Sequence, residues 1–227
     1  SVDTGGTNTV FTVRVSAFEV MVAQDTSAVF WPRYTTADTT FALADVEGAP
    51  AALANDTWYY CYLGVNVDGT LRKQISTTGP GASRIWKSTA ADQWRYVGCF
   101  RTSGAGAPLA VRAVRGRYVY EPRANALHAG LALGAGWATV SLAARVPPHA
   151  RRVTVRLHNV AGAGADYSQV RTTGATYPFA YLSSDAGSLV RELAAEGDTD
   201  ANQQVDYDAG AGGSLSTFNL DVAGFAE

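Results

Sequence analysis

Short segments in which alternate residues are large and apolar recur along this chain, and they constrain its fold more than any other feature. The clearest is residues 58–63 (WYYCYL), where every second side chain would lie on the same side of an extended backbone. Residues 10–15 and 151–158 follow the same rule, and residues 71–76 are interpreted as the strand that returns after the turn at Asp68-Gly69. A period of two is typical of β-strands, so the sequence predicts a β protein.

The number of such runs and the residues between them specify the class of β protein. About twelve to fifteen short strands separated by Gly-rich turns are typical of a β-sandwich or a jelly roll. Gly is abundant, with 23 residues, and there are 5 Trp, 11 Tyr and 8 Phe. We therefore expect an all-β, antiparallel, sandwich-like or jelly-roll-like fold, built either as one large sandwich or as two packed β subdomains.

The alternating pattern is interrupted twice. It stops at residues 121–130 (EPRANALHAG), which predicts an N-terminal β-sandwich over 1–121 and a β-rich region over 122–227, either separate or part of the same sandwich. Residues 188–196 (SLVRELAAE) have apolar residues at helical spacing, so the segment is interpreted either as a short helix or as a strand.

Charge argues against two classes of partner. The formal net charge is −2, so no strong field draws the chain to nucleic acid or to an anionic membrane. No apolar run approaches the roughly 20 residues that a membrane-spanning helix needs. Within the chain, residues 84–123 are mainly basic and residues 185–227 mainly acidic. This asymmetry is consistent either with two solvated faces or with complementary surfaces that meet between subunits.

Signatures of catalysis are missing from the sequence. The three histidines, His128, His149 and His158, lie far from any nucleophile motif, and Gly-x-Ser-x-Gly does not occur. No pair of carboxylates is marked out as a glycosidase pair. We expect no enzyme activity, no cofactor and no metal site.

An acidic run at residues 198–208 (DTDANQQVDYD) is the segment that comes nearest to a metal site. An EF-hand loop needs Gly at its sixth position and Glu at its twelfth, and Gln203 and Ala209 stand there instead. An irregular calcium site is one interpretation. A polar turn leading into a strand, with Val205 and Tyr207 on one side, is the favoured one.

Two further sets of residues are candidates for binding or cross-linking. Trp86 lies in a polar, loop-like stretch and is the candidate for glycan or receptor contact, whereas Trp31, Trp94 and Trp137 are better explained by core packing. Cys61 and Cys99 lie in strand-like runs. They are a possible disulfide if their strands pair in register, although two buried free thiols are favoured.

Three segments of the chain carry distinctive strand motifs, namely residues 51–63 (AALANDTWYYCYL), residues 75–77 and residues 94–102 (WRYVGCFRT). Together they resemble a domain of tailed-bacteriophage virion proteins. Members of that family often carry a TWYYVYLI strand, a later S-T-S run and an RRIGAF-x-T strand. Residues 220–225 (LDVAGF) are similar to their usual ending. Cys61 and Cys99 depart from the apolar residues usual at those positions.

The resemblance implies a non-enzymatic virion protein on a tail fibre, collar or head. It implies partners among other virion proteins, assembly as a homotrimer, and a location on the extracellular particle after synthesis in the host cytoplasm. There the protein would either decorate the particle or touch the host, for which a host-surface glycan is the candidate contact. It carries over no active-site residues. The alternative is an extracellular carbohydrate-binding β-sandwich module.

Overall fold

The structure is a computed structural model that describes residues 2–15, 19–23, 30–34, 38–66, 70–81, 87, 94–114, 116–120, 130–161, 166–184, 190–210 and 215–227. It divides into two compact units, Ser1–Gly116 and Arg117–Glu227. The described residues form seventeen strands and one short 3-10 helix. The prediction of an all-β, antiparallel, sandwich-like fold is confirmed. Within the described ranges, no helix is long and apolar enough to cross a membrane.

The first unit contains nine strands and the 3-10 helix Leu43–Asp45. The strands are β1 Val2–Gly6, β2 Phe11–Val15, β3 Glu19–Ala23, β4 Phe30–Tyr34, β5 Thr39–Phe41, β6 Trp58–Val65, β7 Leu71–Ser76, β8 Arg95–Arg101 and β9 Val111–Val114. Four of them pair in the order β9-β1-β2-β5, three in the order β7-β6-β8, and β3 pairs with β4.

The core of the first unit lies between its two larger sheets. On β2 the side chains of Phe11, Val13 and Val15 are buried and the two between them are exposed, which confirms the predicted alternation. The ring of Phe11 lies 5.8 Å from that of Phe100 on β8, and Phe100 stacks on Tyr59 of β6 at 5.4 Å. Burial of these large rings stabilises the first unit.

A β-bulge in β8 changes which residues share a face. Cys61 lies opposite Gly98, but the next residue, Tyr62, lies opposite Tyr96, so Val97 is the extra residue. Strict alternation in the sequence predicts that Tyr96 and Phe100 share a face. That prediction is wrong, because one inserted residue turns every later side chain to the other face.

The second unit contains the other eight strands. They are β10 Arg117–Tyr120, β11 Gly134–Ser141, β12 Arg152–Ala161, β13 Asp166–Thr172, β14 Ala180–Ser184, β15 Val190–Asp198, β16 Gln204–Ala209 and β17 Leu215–Ala226. Four pair in the order β15-β12-β17-β10 and four in the order β11-β16-β13-β14. The ambiguous segment is therefore a strand from Val190 onward. Its local helical spacing is overridden by nine residue pairs with β12, from Arg152–Asp198 to Val160–Val190.

The two sheets of the second unit face each other across an apolar interface. Val153, Val155 and Leu157 of β12 are buried, as their alternation predicts. The ring of Tyr207 on β16 lies 5.6 Å from that of Phe218 on β17.

A polar contact also crosses this interface. The Ser168 hydroxyl of β13 donates a 2.9 Å hydrogen bond to Asn159 Oδ1 of β12. Both residues are fully buried, and Asn159 Nδ2 has no partner within the described residues. The pair is thus a polar link in surroundings that are otherwise apolar.

Candidate functional site

The acidic run at residues 198–208 folds as a turn followed by a strand. Asp200 Oδ1 accepts hydrogen bonds from the backbone N–H groups of Asn202 at 2.9 Å and Gln204 at 2.6 Å. A short carboxylate that binds the backbone two and four residues later stabilises a tight turn. This agrees with the favoured interpretation of the run, in which the turn leads directly into β16.

Strand β16 separates its residues cleanly by face. Val205, Tyr207 and Ala209 point into the interface between the two sheets. Because side chains alternate along a strand, Asp206 and Asp208 lie together on the outer face of the sheet β11-β16-β13-β14. They are nevertheless only 5% and 6% exposed, so other side chains on that face must cover them.

Asp206 is held by three neighbouring segments. Its Oδ1 accepts a 2.8 Å hydrogen bond from the Thr139 hydroxyl of β11, and its Oδ2 accepts from Arg171 Nε at 3.2 Å and from the backbone of Gly174 at 3.3 Å. Burial alone raises the pKa of this carboxyl, but the hydrogen bonds from Thr139, Gly174 and Arg171 outweigh it and leave the pKa below the usual value. Asp206 is therefore a carboxylate at neutral pH.

Asp208 is held by neutral donors. Its Oδ2 accepts from Gln169 Nε2 at 3.0 Å and from the Tyr167 hydroxyl at 3.1 Å, and its Oδ1 accepts from the backbone of Gly136 at 3.3 Å. No cationic side chain bonds to it within the described part of the chain. The guanidinium of Arg171 therefore offsets the charge of Asp206 and leaves that of Asp208 without a bonded cation.

Aromatic rings lie above and beside the carboxylates. The guanidinium carbon of Arg171 lies 4.0 Å from the centroid of the Trp137 ring on β11. Toward the other edge of the sheet, Tyr167 of β13 and Tyr181 of β14 stack at 5.9 Å with an angle of 12° between their planes. We call this set of side chains the acidic–aromatic face; its members are Trp137, Thr139, Tyr167, Gln169, Arg171, Tyr181, Asp206 and Asp208.

The hydrogen bonds to the two carboxylates fix the orientation of several side chains on this face. Each buried carboxylate accepts three hydrogen bonds, and in doing so it fixes the planes of Arg171 and Gln169 and the position of the Tyr167 ring. A face whose polar groups are already ordered loses little conformational entropy when a ligand binds. Trp137, interpreted from the sequence as a core residue, is half-buried on this outer face.

A second polar cluster lies in the first unit and is centred on Lys87. This side chain is almost fully buried, and its ammonium group donates hydrogen bonds of 2.9 Å to both carboxylate oxygens of Glu47 and to Gln74 Oε1. The Ser76 hydroxyl also donates to Glu47, at 2.5 Å. Hydrogen bonds from Ser76 and Lys87 lower the pKa of Glu47. These hydrogen bonds connect Lys87 and Glu47, which lie in loops, to Gln74 and Ser76 of β7.

The structure describes some of the site residues predicted from the sequence and leaves others outside the described ranges. Trp86, the candidate glycan contact, lies outside the described residues. Cys61 and Cys99 are both free and buried, so the structure contains no disulfide between them. The strand register places Cys61 opposite Gly98 and Cys99 opposite Tyr60, so the two thiols lie on opposite faces of their sheet. Burial raises the pKa of the Cys61 thiol well above its usual value, which makes it unreactive.

Among the histidines, His128 lies outside the described residues. His149 Nε2 lies 2.7 Å from Glu227 Oε1, within hydrogen-bond distance. His158 lies on β12, opposite Glu192 and Asn219 on the neighbouring strands. Comparison of the sequence with protein-family models and with curated proteins finds no match.

Proposed function

We propose that this protein is a non-enzymatic structural protein of a bacteriophage virion, carried on a tail fibre, collar or head, which makes contacts through its acidic–aromatic face. The observation that carries the virion role is the position of the segments that resemble virion proteins. Residues 58–63, 75–77 and 94–102 are far apart in sequence. They fold into, or directly beside, one three-stranded sheet, β7-β6-β8.

The hydrogen bonds within and around this sheet support the proposal that it is a rigid module. Strand β6 is central and pairs along its length with β7 on one side and β8 on the other. Tyr62 is fully buried, and its hydroxyl donates to the backbone of Thr78 at 2.7 Å. Thr102, directly after β8, is also buried and bonds to Ala54 and Thr57. Tyr62 and Thr102, which belong to the segments that carry the resemblance, thus hold strands and loops in place.

The acidic–aromatic face supports a role in contact. Its carboxylates are engaged in hydrogen bonds that position neighbouring side chains, an arrangement suited to presenting a fixed surface. Contact with other virion proteins and with a host-surface glycan, and assembly as a homotrimer, belong to the same proposal.

Two measurements test the virion role. Mass spectrometry of purified particles, produced by the strain that carries the gene, should find the chain at a constant ratio to the major capsid protein. Its absence from particles would overturn the proposal. Size-exclusion chromatography with light scattering should give three times the chain mass of 23.9 kDa. A monomer would contradict the proposed trimer. The remaining form of the virion proposal would then be a protein that assembles only on the particle.

A further inference from the structure

The acidic–aromatic face presents a flat aromatic surface to solvent. Tyr181 is 56% exposed, and one face of its ring is supported by the stacked ring of Tyr167. A large exposed ring that is held in one orientation is costly to leave in water and favourable to cover. The flat C–H surface of a pyranose ring is suited to covering it. The Trp137 ring, which is partly exposed and has Arg171 against one of its faces, lies three strands away.

The same face carries hydrogen-bonding groups that the protein does not use. Within the described residues, the Nη nitrogens of Arg171, the Oε1 oxygen of Gln169 and the Tyr181 hydroxyl make no hydrogen bond. Their neighbours Asp206 and Asp208 nonetheless hold Arg171 and Gln169 in place. A guanidinium that donates and an amide oxygen that accepts, set beside aromatic rings, match the hydroxyl groups and C–H faces of a sugar.

The charge of the face selects among sugars. Two carboxylates and one guanidinium leave it net negative, and Asp208 has only neutral donors bonded to it in the described part of the chain. Acidic sugars, phosphates and nucleic acids would be repelled, because a like charge near a poorly hydrated carboxylate is costly. A neutral saccharide meets no such penalty.

The width of the face indicates the length of the ligand. Trp137 is on β11 and Tyr181 on β14, with β16 and β13 between them. Strands lie about 4.8 Å apart, so the two rings are separated by roughly 14 Å across the sheet. A single sugar ring is too short to touch both, whereas an oligosaccharide of a few residues can.

We propose that the acidic–aromatic face is a binding site for a neutral oligosaccharide, in which Trp137 and Tyr181 stack on sugar rings and Arg171 and Gln169 bond to hydroxyl groups. This inference deepens the proposed function, on whose contact role it rests, by naming the ligand class. It places a glycan contact in the second unit, whereas the contact expected at Trp86 stays a prediction.

Native affinity gels that contain dextran, laminarin, galactomannan or yeast mannan test this proposal with the full chain. At least one of these neutral polysaccharides should retard the protein, and an acidic one, alginate, should not. Tyr181→Ala should weaken binding about tenfold or more, as should Arg171→Ala. Tyr181→Phe, which keeps the ring and loses the hydroxyl, should lie between Tyr181→Ala and the unmodified chain.

Arg152→Ala is the matched control for Arg171→Ala. Arg152 is an exposed arginine that pairs with an exposed aspartate, Asp198, on the other sheet of the same unit. Its removal should leave retardation unchanged. Tyr181 is mostly exposed, so Tyr181→Ala should fold, and circular dichroism will verify this.

Three outcomes would overturn the proposal. They are retardation by none of the neutral polysaccharides, equal retardation of Tyr181→Ala and the unmodified chain, and binding of choline with no binding of sugar. The last would identify the anionic aromatic surface as a site for quaternary ammonium groups. Absence of the chain from virions would overturn the virion role and leave the sugar measurement intact, so the two failures are distinguishable.

Discussion

The guanidinium group of Arg171 lies against Trp137, 4.0 Å from the ring centroid, while its Nε donates to Asp206. One side chain therefore links an aromatic ring on β11 to a carboxylate on β16 from a position on β13. The guanidinium is planar and weakly hydrated, which allows it to contact a ring and to donate at the same time.

Replacement of Arg171 by lysine should show how much this geometry contributes. Arg171→Lys keeps the charge but loses the planar contact with the ring, so we expect the free energy of unfolding to fall by about 1 kcal/mol. Urea denaturation measures this. Arg152→Lys, in an exposed pair with Asp198, should change stability by less than about 0.5 kcal/mol. Equal changes in the two variants would contradict a stabilising role for the contact.

Asp206 should make stability depend on acid pH. Its pKa is lower in the folded protein than the ordinary value of 3.8. The unfolded chain therefore takes up a proton at higher pH than the folded one, and this contribution to stability is lost as the pH falls through 3.8 and below. Asp206→Asn removes it, so the variant should be less stable than the original at pH 7, and the two unfolding curves should converge in acid. Curves that stay parallel down to about pH 3 would show that Asp206 contributes no such linkage.

Gly197 of β15 lies under the ring of Phe179. A Cβ at position 197 would come as close as 2.3 Å to the ring carbons, so Gly197→Ala should lower the free energy of unfolding by about 1–3 kcal/mol, which urea denaturation measures. Gly134 of β11 has open space around it, and Gly134→Ala is the control. In a Phe179→Ala background the Gly197→Ala substitution should lower the free energy of unfolding only slightly. An undiminished loss of stability in that background would show that the Phe179 ring is not the cause.

The buried thiols should report on unfolding. Cys61 and Cys99 are both inaccessible in the native state, and burial raises the pKa of Cys61, so iodoacetamide should modify Cys61 slowly in buffer and rapidly in urea. Mass spectrometry under denaturing, non-reducing conditions should find both residues alkylated. Resistance of both positions to alkylation in urea would indicate a disulfide, which the strand register opposes.

The pattern of alternation was sufficient to predict many of the strands, and the buried faces of β2 and β12. Residues 10–15 and 151–158 behave as expected because each strand has one face in a core and one outside it. The bulge at Val97 was not predictable, since nothing in residues 94–101 marks which residue is extra. Residues 188–196 were ambiguous because a long-range partner, β12, determines their conformation.

The candidate site was only partly visible in the sequence. The segment VDYD at residues 205–208 does indicate two carboxylates on one strand face. Their neighbours Trp137, Arg171 and Tyr181 come from three other strands, and the order β11-β16-β13-β14 is not encoded in any local pattern. Without that order, Trp137 could only be interpreted by residue type, and residue type favours a core position.

The hydrogen bond between Ser168 and Asn159 joins the two sheets of the second unit, and we expect it to fix their alignment. Apolar side chains pack comparably well in several neighbouring alignments, whereas one hydroxyl and one amide can meet in a single alignment. A shift of one sheet along the other would leave both groups unpaired in apolar surroundings, at about 1–3 kcal/mol each. The double variant with Ser168→Ala and Asn159→Leu should keep a stable core but give broadened NMR side-chain signals, and sharp signals would argue against this role. This buried contact would therefore select one packing arrangement of the two sheets rather than add much to the free energy of their packing.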